Sequence, residues 1–139
     1  MNHEVFFSVI APPRFSRDEW PILSMRLSYL GEQRIYVPIR FAVGPLADVR
    51  LQVKNQGGQT LSPKLRVRPT PLRPADFFVL EPGETIVTGY SLRRGYALER
   101  DETYTLEATL VSEMIPAPLE TFDVLRGSVT AEAVSFKVH

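Results

Sequence analysis

Apolar and polar residues alternate along most of the chain with a period of two, and glycine, proline and asparagine interrupt that alternation at short intervals. Successive side chains of a strand point to opposite faces, so this period predicts half-buried antiparallel strands rather than the 3.6-residue stripe of an amphipathic helix. Residues 4–11 are rich in Val, Ile and Phe, and Pro12-Pro13 ends the run because neither proline can donate a ladder hydrogen bond. Leu23, Met25, Leu27 and Tyr29 then alternate with Ser24, Arg26 and Ser28, and Leu30-Gly31-Glu32 reads as a turn. After it, Ile35, Val37, Ile39 and Phe41 alternate with Tyr36, Pro38 and Arg40. A proline in the outward row predicts a sheet edge or a bulge.

Gly44-Pro45 breaks the chain, and Val49, Leu51 and Val53 alternate with Arg50, Gln52 and Lys54 up to Asn55-Gln56-Gly57-Gly58. Such a cluster supplies the positive φ angles of a tight hairpin, whose return strand is expected over Leu61 to Val67 with Lys64, Arg66 and Arg68 outward. Residues 69–75, rich in proline, predict an extended loop. A short strand from Phe77 to Leu80 leads into Glu81-Pro82-Gly83-Glu84, where Pro82 presets φ and Gly83 tolerates a positive one, as a type II turn requires. Another strand is expected from Ile86 to Leu92, closed by Arg93-Arg94-Gly95. Residues 96–103, with Glu99, Arg100, Asp101 and Glu102, read as a solvated crossing. Tyr104, Leu106, Ala108 and Leu110 alternate with Thr105, Glu107 and Thr109 in the clearest strand; 113–127 is irregular, and Val134, Phe136 and Val138 share a face of the last strand. The sum is about eight short strands at turn spacings of about 8 to 15 residues, the pattern of a sandwich or barrel.

Composition narrows the chemistry. The 139 residues, 44% of them apolar, are enough for one domain, 1–139, with a real core. Without cysteine, disulfides and thiolate metal sites are excluded. Sixteen basic and sixteen acidic side chains balance, so no uniformly charged nucleic-acid or membrane surface is expected. No run approaches the about 20 apolar residues of a membrane-spanning helix. The start, Met1-Asn2-His3-Glu4, lacks the layout of a secretory leader, so the chain as given is expected to be cytoplasmic, or exported if a leader has been removed. The two histidines, His3 and His139, stand at the ends, which argues against histidine-based nucleophilic or metal chemistry. No cofactor, metal or catalytic residue is expected, and an enzyme is not the reading.

Leu80-Glu81-Pro82-Gly83-Glu84, Tyr90-Ser91-Leu92, Asp101 to Leu106 and the closing Val129 to Val138 together resemble bacterial immunoglobulin-like sandwiches. The pattern is similar to the small sandwich domains associated with deuterolysin-type peptidases and, more distantly, to the intracellular proteinase inhibitor of bacilli. The resemblance covers most of residues 20–138 and rests on corner chemistry; it departs at 69–75 and 113–127. It implies an all-β, antiparallel immunoglobulin-like sandwich of about seven to nine strands. Tyr104, at the start of a late strand, is expected to turn its ring inward while its hydroxyl reaches a backbone group a few residues upstream.

Candidate binding residues come from charge. No acid lies between Asp48 and Asp76, whereas Arg50, Lys54, Lys64, Arg66, Arg68 and Arg73 add six positive charges that two strands could display together. Arginine forks would suit anion recognition, although a solvated outer face has the same composition and the aromatics that single-stranded nucleic-acid binding needs are absent. An acidic counterpart runs through Glu99, Asp101, Glu102, Glu107, Glu113, Glu120 and Asp123, so head-to-tail self-association is open to the chain. Calcium on Glu99, Asp101 and Glu102 lacks the glycine-bearing loop signature. Pro71-Leu72-Arg73-Pro74 matches a minimal polyproline ligand and would suit an inhibitory loop, although a plain spacer between strands has the same composition. Trp20, with Phe15 and Tyr29, is either a carbohydrate-stacking platform or a lid on the core. The expectation is a non-catalytic binding or structural module with a protein partner. A protease inhibitor acting through 69–75 and a subunit of a larger assembly are the alternatives.

Overall fold

The computed structural model describes residues 4–16, 18–38, 49–64, 73–113 and 115–139. They form ten strands: β1 (Val5–Ile10), β2 (Arg14–Phe15), β3 (Ile22–Tyr29), β4 (Ile35–Pro38), β5 (Val49–Asn55), β6 (Phe77–Leu80), β7 (Thr85–Ser91), β8 (Glu102–Ser112), β9 (Gly127–Thr130) and β10 (Val134–Val138). Among the described residues, helix is confined to the turn α1 (Leu92–Gly95) and to two 3-10 turns, Pro74–Asp76 and Leu119–Thr121. The chain is all-β.

One sheet has the order β1-β3-β7 and is antiparallel throughout. A larger sheet has the order β2-β10-β8-β5, with β9 also paired to β8. Its pairs are antiparallel except for the two-residue β2, which runs parallel to β10. β4 and β6 make a separate antiparallel pair. Each inward row follows from alternation: Val5, Phe7 and Val9 of β1, Leu23, Met25 and Leu27 of β3, Val49 and Val53 of β5, Leu106, Ala108 and Leu110 of β8, and Phe136 and Val138 of β10 are all buried. These rows, with Ile35, Val37 and Leu80 from β4 and β6, pack into one apolar cluster.

β8, eleven residues long, is the central strand of the larger sheet. Along one side it meets β5, in a register that sets Val53 opposite Leu106 and Val49 opposite Leu110. Along the other side β10 pairs with its first half and β9 with its second. Thr130 stands opposite Thr109 and Val134 opposite Leu106, so three residues, 131–133, face two, 107–108. The extra residue is a bulge that separates β9 from β10, and the buried Ala131 keeps a ladder bond from its amide to the Ala108 carbonyl (2.9 Å).

The 81–84 turn has the geometry its sequence specifies. Gly83 has φ +84°, the Glu84 amide donates to the Glu81 carbonyl (3.0 Å), and the Gly83 amide is tied to the Tyr29 carbonyl at the end of β3 (2.8 Å).

Four local expectations need correction. The strand after the 55–58 turn does not form over 61–64: a single bridge, Lys54 to Thr60, and one bond from the Leu61 amide to the Val53 carbonyl continue β5, and the chain then leaves the ladder. The full ladder of β5 is with β8, on its other edge. Pro38 is buried, not outward, where β4 ends opposite Phe77. The 96–103 crossing is not wholly solvated, because Tyr96 is buried and β8 already begins at Glu102. Ten strands exceed the expected seven to nine, since β2 and β9 are short pairings that alternation alone does not announce. The segments 39–48 and 65–72 lie outside the described residues.

Candidate functional site

The predicted basic set is divided among different neighbourhoods. Arg50 and Lys54 project from β5 onto the outer face of the larger sheet, opposite Thr109 and Thr105. Lys64 instead reaches α1, its ammonium donating to the Arg93 carbonyl (2.8 Å) and its amide to the Gly95 carbonyl (2.7 Å). Arg73 precedes the 74–76 turn; its amide donates to Asp76 (2.8 Å) and its guanidinium lies 3.4 Å from the same carboxylate. Arg66 and Arg68 lie outside the described residues, as does most of the proline-rich loop that would act as an inhibitor.

Trp20 is 66% exposed, whereas Phe15 and Tyr29 are buried, so neither a core lid nor a three-ring platform is assembled. Phe15 is inward because it stacks on Phe136, which in turn stacks on Tyr104. Arg93 lies over the Phe15 ring, 5.7 Å from its centre, and donates to the carbonyls of Glu19 and Ser16, pinning the 16–20 loop to α1. Among the described residues no group of three acids or histidines could hold a metal ion, Glu99, Asp101 and Glu102 included. The Glu102 carboxylate instead accepts the Gln56 amide (3.0 Å).

Tyr104 is buried, and its hydroxyl accepts the Glu99 amide (2.7 Å), five residues upstream. Burial pushes its ionisation upward, against the opposing effect of that amide bond. Tyr96 is shifted furthest, up to about 12, by burial and then by the neighbouring Tyr90. An open cleft of about 360 Å³ gathers Glu4, Glu32, Asp123, Arg126, the exposed Phe122 and the Tyr29 hydroxyl. Burial, followed by Glu4 and Asp123, raises the Tyr29 ionisation, and the Tyr29 hydroxyl donates to the Gln33 carbonyl.

The feature that charge and motif reasoning passed over is the outer face of the three-stranded sheet. Its register gives four rows: Phe6, Ser28 and Thr85; Ser8, Arg26 and Val87; Ile10, Ser24 and Gly89; and Ile22 with Ser91. Phe6 is 53% exposed, Ile10 58%, Ile22 52% and Val87 57%, so four large apolar side chains share one open face. Arg26 is the single charged residue in these rows, and it makes no ion pair among the described residues. The Ile22 side chain lies over Gly89, where an added Cβ would stand 2.8 Å from Ile22 Cγ2. The outer rows of the larger sheet are different. Arg50, Gln52, Lys54, Thr105, Glu107, Ser135 and Lys137 are exposed, and Thr105–Ser135 and Thr109–Thr130 hydroxyl contacts (3.5 and 3.0 Å) link neighbouring strands. The signal for the apolar face was present in β1, where Phe6 and Ile10 occupy the positions that alternation assigns to solvent.

Comparison of the chain with protein-family models and with curated proteins finds no match.

Proposed function

We propose that this chain is a non-catalytic binding module, an immunoglobulin-like β-sandwich that engages a partner protein through the outer face of its β1-β3-β7 sheet. The observation that carries the reading is the exposure of Phe6, Ile10, Ile22 and Val87 on that one face. Single exposed apolar residues are ordinary on soluble proteins, but several gathered on one flat face mark a surface that is covered in use. The immunoglobulin-like assignment draws support from the strand order. β1, β3 and β7 share one sheet, β5, β8 and β10 the other, and the short β2 runs parallel to the final strand. The Tyr104 hydroxyl bond to the backbone upstream of β8 adds to it.

Site-specific photo-crosslinking tests the function. A benzophenone side chain is placed in the full-length protein at position 87, on the proposed face, or at position 52, on the outer face of the larger sheet. Irradiation in the native cell extract is expected to give a discrete adduct from position 87 and none from position 52. Adducts from position 52 alone, or equal adducts from both, would overturn the assignment.

A further inference from the structure

The chemistry of the partner can be taken further, on the premise that the β1-β3-β7 face is the docking surface. Along β3 the side chains of this face are Ile22, Ser24, Arg26 and Ser28. Ser24, Ser28, Ser8 and Gly89 are small, so they leave the face low on either side of Arg26, a shallow trough interrupted by that side chain, closed at one end by Ile22 and flanked by Phe6 and Ile10 on β1 and Val87 on β7. From Ile22 to Ser28 the trough runs roughly 20 Å at ~3.3 Å per residue, and with strands ~4.8 Å apart its flanks are about 10 Å from each other. That width accepts one extended segment, or one face of a helix about 10 Å across.

Charge selects among occupants. Arg26 sits on the middle strand between Ser8 and Val87, with Ser24 and Ser28 on either side along β3 and Phe6 and Ile10 diagonally across on β1, and it has no carboxylate partner among the described residues. A second copy stacked face to face about a two-fold axis would bring two Arg26 side chains together near that axis, with no acid in the rows to separate them. An anionic membrane is the weaker match as well, because surface recruitment by headgroups relies on clusters of about four to eight cations, and this face has one. A lone guanidinium beside Val87 and diagonal to Phe6 and Ile10 is suited instead to a single carboxylate whose apolar neighbours cover those side chains and exclude water from the pair.

We propose that the trough along β3 receives one apolar segment of a different protein chain bearing a carboxylate, which seats on Arg26 while its apolar side chains cover Phe6, Ile10, Ile22 and Val87.

The test uses the isotope-labelled full chain and three synthetic ten-residue peptides. Each alternates leucine with serine and carries Glu, Gln or Lys at its centre; each is titrated while amide shifts are followed. The Glu-centred peptide is expected to shift β1, β3 and β7 amides with at least tenfold tighter binding than the Lys-centred one. In Arg26→Glu that order should reverse, while Val87→Asp should weaken all three peptides; both substitutions lie on an exposed face, and a native-like circular dichroism spectrum checks their folding. Binding that Val87→Asp abolishes but that ignores the central charge would overturn the carboxylate inference and leave the docking face standing. Shifts confined to the larger sheet would remove both. Binding to phosphatidylserine vesicles that Arg26→Glu abolishes, or a dimer on sizing that Val87→Asp dissolves, would overturn the choice of partner.

Discussion

The two sheets have inward rows of the same kind, and their outward faces differ in how much large apolar surface they leave in solvent. In the larger sheet the outward residues are chiefly Arg, Lys, Glu, Gln, Thr and Ser, with the half-buried Val111 among them, and hydroxyls on neighbouring strands contact one another. In the β1-β3-β7 sheet Phe6, Ile10, Ile22 and Val87 take the corresponding positions. Alternation decides which row is buried, because one row must leave water for the core to form. The side chains of the outward face are free of that demand, so the exposed Phe6, Ile10, Ile22 and Val87 are not accounted for by the core.

The comparison is sharpest when a buried residue is set against its outward neighbour. Leu106→Ala removes a fully buried side chain from the central strand and is expected to destabilise by about 2–5 kcal/mol, whereas Glu107→Ala beside it should stay within about 0.5 kcal/mol. Urea midpoints of the two variants provide the check, and equal midpoints would break the assignment of rows.

The next effect is alkaline. The Tyr96 hydroxyl lies 3.4 Å from the Leu51 carbonyl of β5, and its ionisation is raised from 10 to about 12. A folded state that holds the proton more tightly than the unfolded chain is fully stabilised below pH 10 and loses that stabilisation as pH rises from 10 towards 12. The loss for Tyr96 is on the order of 2–3 kcal/mol. Tyr29, Tyr90 and Tyr104 are shifted in the same direction and add to it. Urea titrations between pH 8 and 12 should show this fall, and Tyr96→Phe should lessen it.

Smaller again is Tyr104→Phe, which leaves the Glu99 amide without its acceptor and should lower stability by about 1 kcal/mol with the stacked Phe136 contact intact. Smallest are Phe6→Thr and Val87→Thr, within about 0.5 kcal/mol by urea melts, because threonine keeps the strand preference of positions already in solvent.

Much of the fold was legible because strand signals are local. β3, β5 and β8 follow the alternation, and β6 together with the turn at Pro82 and Gly83 follows residue chemistry. Pairing was less legible, since a ladder partner is chosen by the match of distant apolar rows. The residues after Gly58 looked like the return strand of a hairpin, yet over 59–64 only the Thr60 bridge continues β5, whose full register from Val49 to Asn55 is with the distant β8. β2 escaped notice for a related reason: its two residues have no period of their own and owe their pairing to Phe15 packing on Phe136. Charge was the poorest guide to a site. The lysines and arginines of residues 50–73 share a stretch of sequence, but in space Arg50 and Lys54 stand on β5, Lys64 binds α1 and Arg73 binds Asp76. Phe6 and Ile10 were visible in the sequence, but their joining with Ile22 and Val87 required the register of three strands.

The most direct measurement replaces the side chains of each outer surface in turn. One variant carries threonine at 6, 10, 22 and 87, and another carries threonine at 50, 52, 54 and 107; each is followed by urea denaturation and by crosslinking from position 24, in the trough between the two flanks. Both variants should keep a cooperative transition, and only the first should lose its crosslinked adduct. An adduct that survives the first variant and disappears in the second would contradict the account.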